Sequence, residues 1–313
     1  MKRTLSPLLY AMLLLLAACE DRIFPELPDG PPSLVVDAWI NNKAETQTIR
    51  ITRSLPYFQT SSPAGLSGAS VQITDDSGST YIFTEQETPG IYQWIPQPED
   101  GGFGETGRNY TLVVQIGENV YEASSRMNRV PEIDSINYRF ERGNTFFPDS
   151  YFAGVFARDL PGPGDTYWIR SYKNGVFLNQ PSEINIVFDA GFSQGGNIDG
   201  ITFIQPIRDA ISPTDQDEDG NFLSPFSPGD SVYVEIHSIS NEAFTFLTEV
   251  RIQTDRPGGF AELFAVPLSN VPSNIVKRNP QDTFEVIGFF NVAAVSSMGR
   301  RLDPENLPVE RVR

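Results

Sequence analysis

The feature that most constrains the fold of this chain is a succession of short alternating segments, each separated from the next by turn-forming residues. In the first segment, the apolar residues Leu34, Val36, Ala38 and Ile40 recur at every second position. Similar segments follow at intervals of roughly 8–12 residues, a spacing that is typical of β-sandwiches. The sequence therefore predicts a mainly β fold that begins with a β-sandwich over residues 34–130.

The remainder of the chain, residues 131–313, predicts a second β-rich domain that carries one amphipathic helix. We expect strands at 151–158, 167–172, 184–188, 231–239 and 284–292, and short strands around 201–204 within a Gly- and Pro-rich excursion. The helix is predicted at about 241–255. Ser240 offers an N-cap, apolar residues recur at three- and four-residue spacing, and Pro257 ends the pattern.

The amino terminus has the order of parts of a secretory signal peptide over residues 1–18. Basic residues precede an apolar run that is too short to span a bilayer, and small residues precede Cys19, the only cysteine. This pattern resembles a bacterial lipobox, which implies cleavage before Cys19 and a lipid anchor on its sulfur. The alternative is a plain signal peptide with a chance cysteine. Residues 19–33 then predict a lipidated, Pro-rich tether.

The chain is strongly acidic, with 23 basic and 40 acidic residues and a formal net charge of −17. This charge argues against nucleic acid as a partner, and it favours either a solvated surface or the binding of cations. If lipid occupies Cys19, no thiol is left for a disulfide, a metal site or a nucleophile. Hydrophobic burial must then stabilise the fold in an oxidising compartment.

One loop has the residue types of a calcium site: Asp215, Asp217, Asp219 and Asn221. Oxygen ligands at alternate loop positions, with Gly220 at the turn, are what a calcium loop requires. The chain departs from the EF-hand pattern, because Phe226 stands where that pattern has a bidentate glutamate. Two interpretations remain, a calcium loop completed by a distant acid and an acidic solvated turn.

No residue set in the sequence indicates a catalytic site, so we expect a protein that is not an enzyme. His237 is the only histidine, and the strand pattern places it on a polar face with Tyr233 and Glu235. A catalytic triad or a zinc site needs partners that the chain does not supply. A carboxylate pair for glycoside hydrolysis is compatible with so many acids but is not indicated. Three tryptophans form either a sugar-stacking platform or parts of the core: Trp39, Trp94 and Trp168.

Several stretches of the chain, taken in order, resemble the Bacteroidota lipoprotein family known as domain of unknown function 4249. They are the lipobox, Leu-Val-Val-Asp-Ala-Trp-Ile at 34–40, Gly-Ala-x-Val-x-Ile at 68–73, Val-Pro-Glu-Ile-Asp-Ser-Ile at 130–136, and the segments 239–244, 265–275 and 286–290. The first domain also resembles the transthyretin-like or carboxypeptidase-regulatory-like sandwich of the immunoglobulin type. That resemblance implies inward packing at Gly90/Tyr92 and Tyr110/Leu112.

The family resemblance implies an outer-membrane lipoprotein, lipid-anchored at the periplasmic face or the cell surface, and implies no established reaction. We expect a binding or accessory role, associated with a TonB-dependent receptor, and no cofactor other than Ca²⁺. The alternatives are a carboxylate-dependent hydrolase that acts on glycans or peptides, and a structural envelope adhesin.

Overall fold

The computed structural model describes residues 30–56, 59, 61–98, 101–145, 147–195, 198–256, 258–279 and 285–307. The predicted signal peptide, Cys19 and most of the predicted tether lie outside these residues. Pro32–Arg313 forms one compact unit.

The described residues form sixteen strands and two α-helices. The strands are β1 (Leu34–Asn41), β2 (Gln47–Arg53), β3 (Ser70–Asp75), β4 (Thr80–Glu85), β5 (Ile91–Trp94), β6 (Asn109–Ile116), β7 (Asn119–Arg126), β8 (Ile133–Glu141), β9 (Ser150–Ala157), β10 (Thr166–Lys173), β11 (Val176–Phe177), β12 (Asn185–Phe188), β13 (Ser231–Ile239), β14 (Val276–Lys277), β15 (Val286–Ala293) and β16 (Val295–Arg301). The helices are α1 (Gln205–Asp209) and α2 (Asn241–Thr254). Short 3-10 turns lie at Pro181–Glu183, Gly259–Phe264 and Pro304–Asn306.

The first sheet has nine strands in the order β14-β7-β6-β3-β4-β5-β2-β1-β15. All its pairs are antiparallel except β1 with β15, which is parallel. Strand β4 pairs with both β3 and β5, and the Val292 N–H on β15 donates to Ser125 Oγ on β7. The two halves of the sheet therefore fold over a common core.

The first core is built from the inward-facing side chains of this sheet. The alternation predicted for 34–40 is confirmed, because Leu34, Val36, Ala38 and Ile40 are all buried. Tyr92, Tyr110 and Leu112 are also fully buried, so their predicted inward packing is confirmed. Residues from the distant β15 join this core, among them Phe290 and Val292.

The second core lies between the β8–β9 hairpin and the sheet β11-β10-β13-β16, in which β12 also pairs with β10. Buried apolar residues of β10 and β13 face this core on one side of the sheet: Tyr167, Ile169, Val232, Val234 and Ile236. Whether the two cores belong to separate domains, divided near residue 131, stays a prediction.

Helix α2 contacts β10, β12 and β15, so it touches both sheets. It begins where predicted, because Ser240 Oγ accepts the Ala243 N–H, and it buries Ala243 and Leu247. No described helix is long and apolar enough to span a membrane.

The mainly β fold is confirmed, but some segments differ from the prediction. Residues 201–204 form an isolated bridge to Arg158 and no strand, and helix α1 follows because Pro206 is compatible with a first helical turn. Strands β8 and β16 were not predicted. The transthyretin-like identity of the first sheet stays a prediction.

Candidate functional site

A cavity of about 470 Å³ lies where the first sheet meets helix α2 and the second sheet. We call it the aromatic cleft and define it by the residues that line it: Val35, Asp37, Trp39, Arg50, Thr52, Trp168, Phe177, Leu178, Asn179, Glu183, Ile184, Phe246, Leu247, Val250, Gly288 and Phe289. One wall is the outer face of β1, β2 and β15. The other wall is formed by α2, β10 and the segment that includes β11 and the turn at Pro181–Glu183.

The alternation of β1 explains why polar and aromatic side chains reach this cleft. Since successive strand residues point to opposite faces, burial of Val36 and Ala38 turns Asp37 and Trp39 outward. In the strand register, Asp37 lies opposite Arg50 of β2 and opposite Phe289 of β15. An acidic residue, a basic residue and an aromatic residue are therefore neighbours on three adjacent strands.

Four aromatic rings, one each from β1, β10, α2 and β15, form the apolar side of the cleft. The ring centroids of Trp39 and Trp168 are 5.1 Å apart, and those of Trp39 and Phe289 are 5.7 Å apart with planes at 20°. Phe246 on α2 lies 4.6 Å from Phe289. The sequence singled out three tryptophans, and the structure brings together two of them. Trp94 instead packs against Tyr81 and Phe103 at the first core.

The charges in the cleft are not neutralised by close ion pairs. Asp37 and Arg50 are both solvent-exposed, and neither makes an ion pair with any residue that the structure describes. Desolvation by the surrounding protein raises the pKa of Asp37, and the positive charges of Arg50 and Arg170 oppose this rise. Asp37 is thus an accessible carboxylate with two arginines nearby and an ion pair to neither.

Arg170 borders the cleft behind Trp168. Its guanidinium carbon lies 4.5 Å from the centroid of the Phe177 ring and 5.1 Å from that of Trp168. Its Nε is buried and has no hydrogen-bond partner among the residues described. A cation held by aromatic faces keeps N–H donors available for another group.

Next to Arg170, a buried polar cluster connects the two sheets. Glu235 on β13 accepts from Lys43 Nζ, in the segment after β1, at 2.6 Å, and its other oxygen lies 2.9 Å from His237 Nε2. Burial would raise the pKa of Glu235, but hydrogen bonds from His237 and Lys43 lower it to about 2. Burial also lowers the pKa of His237, against the effect of Glu235. Because a carboxylate can only accept, the neutral imidazole carries its proton on Nε2, and this N–H donates a hydrogen bond to Glu235.

The predicted face of β13 is correct, because Tyr233, Glu235 and His237 lie on the side opposite the second core. Their environment was not predicted: His237 is only 5% exposed and Glu235 only 4%. The sequence of β13 alone does not predict this burial, because Lys43, which binds Glu235, is distant in sequence.

The predicted calcium loop is a tight turn between the bridged residues Gln216 and Phe222. Asp217 Oδ1 accepts the backbone N–H groups of Asp219 and Asn221 at 3.0 and 2.8 Å. Hydrogen bonds from Asn221 lower the pKa of Asp217 most, ahead of those from Asp219 and Gly220. Asp215 is half-buried, and the hydrogen bonds of Asp217 account for the shape of the turn without an ion. Calcium binding here stays a prediction.

A second group of acids could hold a metal ion and was not predicted. Carboxylate oxygens of Asp159, Asp189 and Asp199 all lie within 4.8 Å of one another. Asp159 accepts from the Tyr167 hydroxyl at 2.7 Å, and burial raises the pKa of Asp159 while hydrogen bonds from Gly200 and Tyr167 oppose the rise. These acids are far apart in sequence, so no spacing pattern could reveal them.

Comparisons with known proteins give one family. A family model described as "Domain of unknown function (DUF4249)" matches residues 20–298. No curated protein matches the chain significantly. A solved structure titled "Crystal structure of tetra-tandem repeat in extending region of large adhesion protein" is similar at 13% identity and a TM-score of 0.19, covering 87% of this chain and 50% of its own. This chain thus spans about half the length of that one, and the TM-score is too low to support a conclusion.

Proposed function

The chain belongs to the DUF4249 family, a domain of unknown function, and from this premise we propose that it is a lipid-anchored binding protein whose ligand site is the aromatic cleft. The observation that carries the proposal is the unpaired Asp37 and Arg50 beside a wall of aromatic rings. Both charged side chains are exposed, so a ligand can reach them.

The cleft has the size and the chemistry of a small-molecule site. Ligand pockets usually enclose about 300–1,000 Å³, have mostly apolar walls, and hold a few polar groups that fix orientation. The aromatic cleft fits this description, with a volume of about 470 Å³. Most of its walls come from two sheets and α2, which fix the positions of the rings, and the segment that follows β11 completes it.

The proposed location is the outer membrane, with Cys19 as the lipid attachment point, at the periplasmic face or the cell surface. The lipobox pattern before Cys19 supports the anchor. Metabolic labelling with an alkyne-modified palmitate tests it. Label should appear on the full-length protein and be absent from Cys19→Ala. Equal labelling of both would contradict the anchor.

The proposed partner is a TonB-dependent receptor, which the protein would supply with bound ligand. Affinity purification of the detergent-solubilised lipoprotein from its native envelope tests this role. Co-purification of such a receptor is the expected result, and its absence from the purified material would contradict the accessory role without affecting the cleft.

Thermal unfolding tests the binding site in a way that does not assume a ligand class. The detergent-solubilised protein is melted with millimolar leucyl-phenylalanine, maltose or phenethylamine. We expect at least one compound to raise Tm by about 2 °C or more, since binding stabilises the folded state. The rise should vanish in the double variant Asp37→Asn/Arg50→Gln and persist in the control Asp134→Asn, an exposed aspartate of β8 outside the cleft. No rise with any compound, or a rise retained by the double variant, would contradict the proposal.

A hydrolase is a second candidate because two acids, Asp37 and Glu183, line the same cleft. A carboxylate with a raised pKa, as Asp37 has, is suited to donate a proton. Incubation of the protein with each of the compounds that bind distinguishes the two functions. Intact recovery of the compound supports a binding protein. Cleavage that is lost in Asp37→Asn supports the hydrolase.

A further inference from the structure

We propose that the aromatic cleft binds a zwitterion with an apolar side chain, namely an amino acid or short peptide with free ammonium and carboxylate groups. This inference rests on the proposed binding function and adds the chemical class of the ligand. It follows from the arrangement of charges and rings around Asp37. Acidic groups there can bind the ammonium, basic groups the carboxylate, and aromatic rings the apolar side chain.

The acidic side of the cleft would receive the ammonium group. Asp37 and Glu183 both line the cavity, and Asp37 has no ion-pair partner in the described part of the chain. Desolvation of an anion is unfavourable unless a cation or hydrogen-bond donors replace the lost water. A ligand ammonium placed beside Asp37 would supply both.

The basic side would receive the carboxylate. Arg50 stands directly opposite Asp37 on the neighbouring strand, so the Cβ atoms of the two residues are about 5 Å apart. Arg170 contributes a second positive charge, because its guanidinium packs against Trp168 and Phe177 of the cleft, and its Nε lacks a protein partner among the residues described. Guanidinium groups bind carboxylates through paired N–H donors.

The rings would receive the apolar side chain. Trp39 and Phe246 are partly exposed and would contact it, together with Val250 of α2. Phe289 and Leu247 are buried and support these side chains. Burial of an apolar side chain here removes hydrocarbon surface from water on both sides of the contact.

The balance of charges distinguishes this ligand from other classes. Asp37, Glu183 and Arg50 line the cleft, and the guanidinium of Arg170 packs against two of its rings, so charges of both signs lie at the cleft. A polyanion would be repelled by the acids Asp37 and Glu183, and a polycation would be repelled by the arginines Arg50 and Arg170. A neutral sugar would hydrogen-bond to these groups but would leave their formal charges without counter-charges.

Isothermal titration of the detergent-solubilised protein tests the proposal with leucyl-phenylalanine, its N-acetyl form, its C-terminal amide, and maltose. We expect the free dipeptide to bind and each blocked form to bind about tenfold more weakly or worse, because each block removes one charge contact. Asp37→Asn should weaken the free dipeptide but leave the N-acetyl form unchanged. Arg50→Gln should show the mirror pattern with the amide.

Each outcome separates the ligand class from the proposed function. Equal binding of the free and blocked dipeptides would overturn the zwitterion. If maltose binds, this binding is weakened by Asp37→Asn and the dipeptide does not bind, the zwitterion proposal is overturned. The cleft would then still be a binding site. Absence of binding by all four compounds overturns the ligand class proposed here. The proposed function then depends on whether phenethylamine gives a cleft-dependent rise in Tm.

Discussion

Asp37 on β1 and Arg50 on β2 are direct cross-strand neighbours, yet they form no ion pair. Opposite charges in this arrangement usually stabilise a sheet by pairing. Here the two side chains line a cavity with aromatic walls and remain available to a third group. This relationship distinguishes the aromatic cleft from an ordinary contact between sheets.

The buried cluster next to the cleft should contribute strongly to stability. Glu235→Ala removes the acceptor of Lys43 and His237, and we expect the free energy of unfolding to fall by about 3 kcal/mol, as when one partner of a buried ion pair is lost. Urea denaturation measures the change. Glu118→Ala, in the exposed turn between β6 and β7, should change stability by less than about 0.5 kcal/mol. Equal effects of the two substitutions would refute the role of the cluster.

The same cluster predicts a loss of stability in acid. The pKa of His237 is lowered from 6.5 in the folded protein, so the unfolded chain takes up this proton first as pH falls below 6.5. Glu235 has a folded pKa of about 2 against 4.5, so its contribution is present above 4.5 and is lost between 4.5 and 2.

Chemical denaturation at a series of pH values measures this dependence. The free energy of unfolding should decline from pH 6.5 downward, and the part of the decline between pH 6.5 and 5 should be smaller in His237→Gln. An unchanged slope in that variant would show that His237 is not the group responsible.

Gly288 is required for the approach of β15 to β1. Its φ is +101°, and a Cβ atom at this position would lie 2.0 Å from the Val36 carbonyl oxygen. We therefore expect Gly288→Ala to lower the free energy of unfolding by at least about 3 kcal/mol.

The matched control is Gly117→Ala, where φ is also positive but a Cβ would meet nothing within 4 Å. That change should cost only about 1 kcal/mol, from backbone strain alone. Similar losses in the two variants, measured by urea denaturation, would argue against the close contact.

The calcium hypothesis predicts a higher Tm in millimolar calcium than in chelator, and loss of this difference in Asp217→Ala. The control is Asp189→Asn, which alters the other group of acids. A difference that persists in Asp217→Ala but disappears in Asp189→Asn would assign the ion to that other group. Identical melting curves for the unaltered protein in calcium and chelator would contradict both sites.

The sequence predicts those parts of the fold that depend on neighbouring residues. The period of two in 34–40 places Asp37 and Trp39 on the outer face of β1, and Ser240 marks the start of α2. The residues around Pro131 indicate a domain boundary and do not predict β8, although the residues of β8 alternate.

Other parts depend on contacts between distant residues, which no local pattern encodes. The parallel pairing of β1 with β15 brings Phe289 beside Asp37, and α2 then adds Phe246. The aromatic cleft is therefore assembled from segments more than 200 residues apart. For the same reason the sequence could name Trp39, Trp94 and Trp168 without showing which two would meet.

The indole N–H signals of these three tryptophans in a ¹H–¹⁵N spectrum test the cleft as a ligand site most directly. Assignment follows from single Trp→Phe variants, and the probe is whichever compound raises Tm. We expect the signals of Trp39 and Trp168 to shift as the ligand is added, while that of Trp94, at the first core, does not move. Saturating ligand that leaves Trp39 and Trp168 unchanged, or moves Trp94 as much, would contradict it.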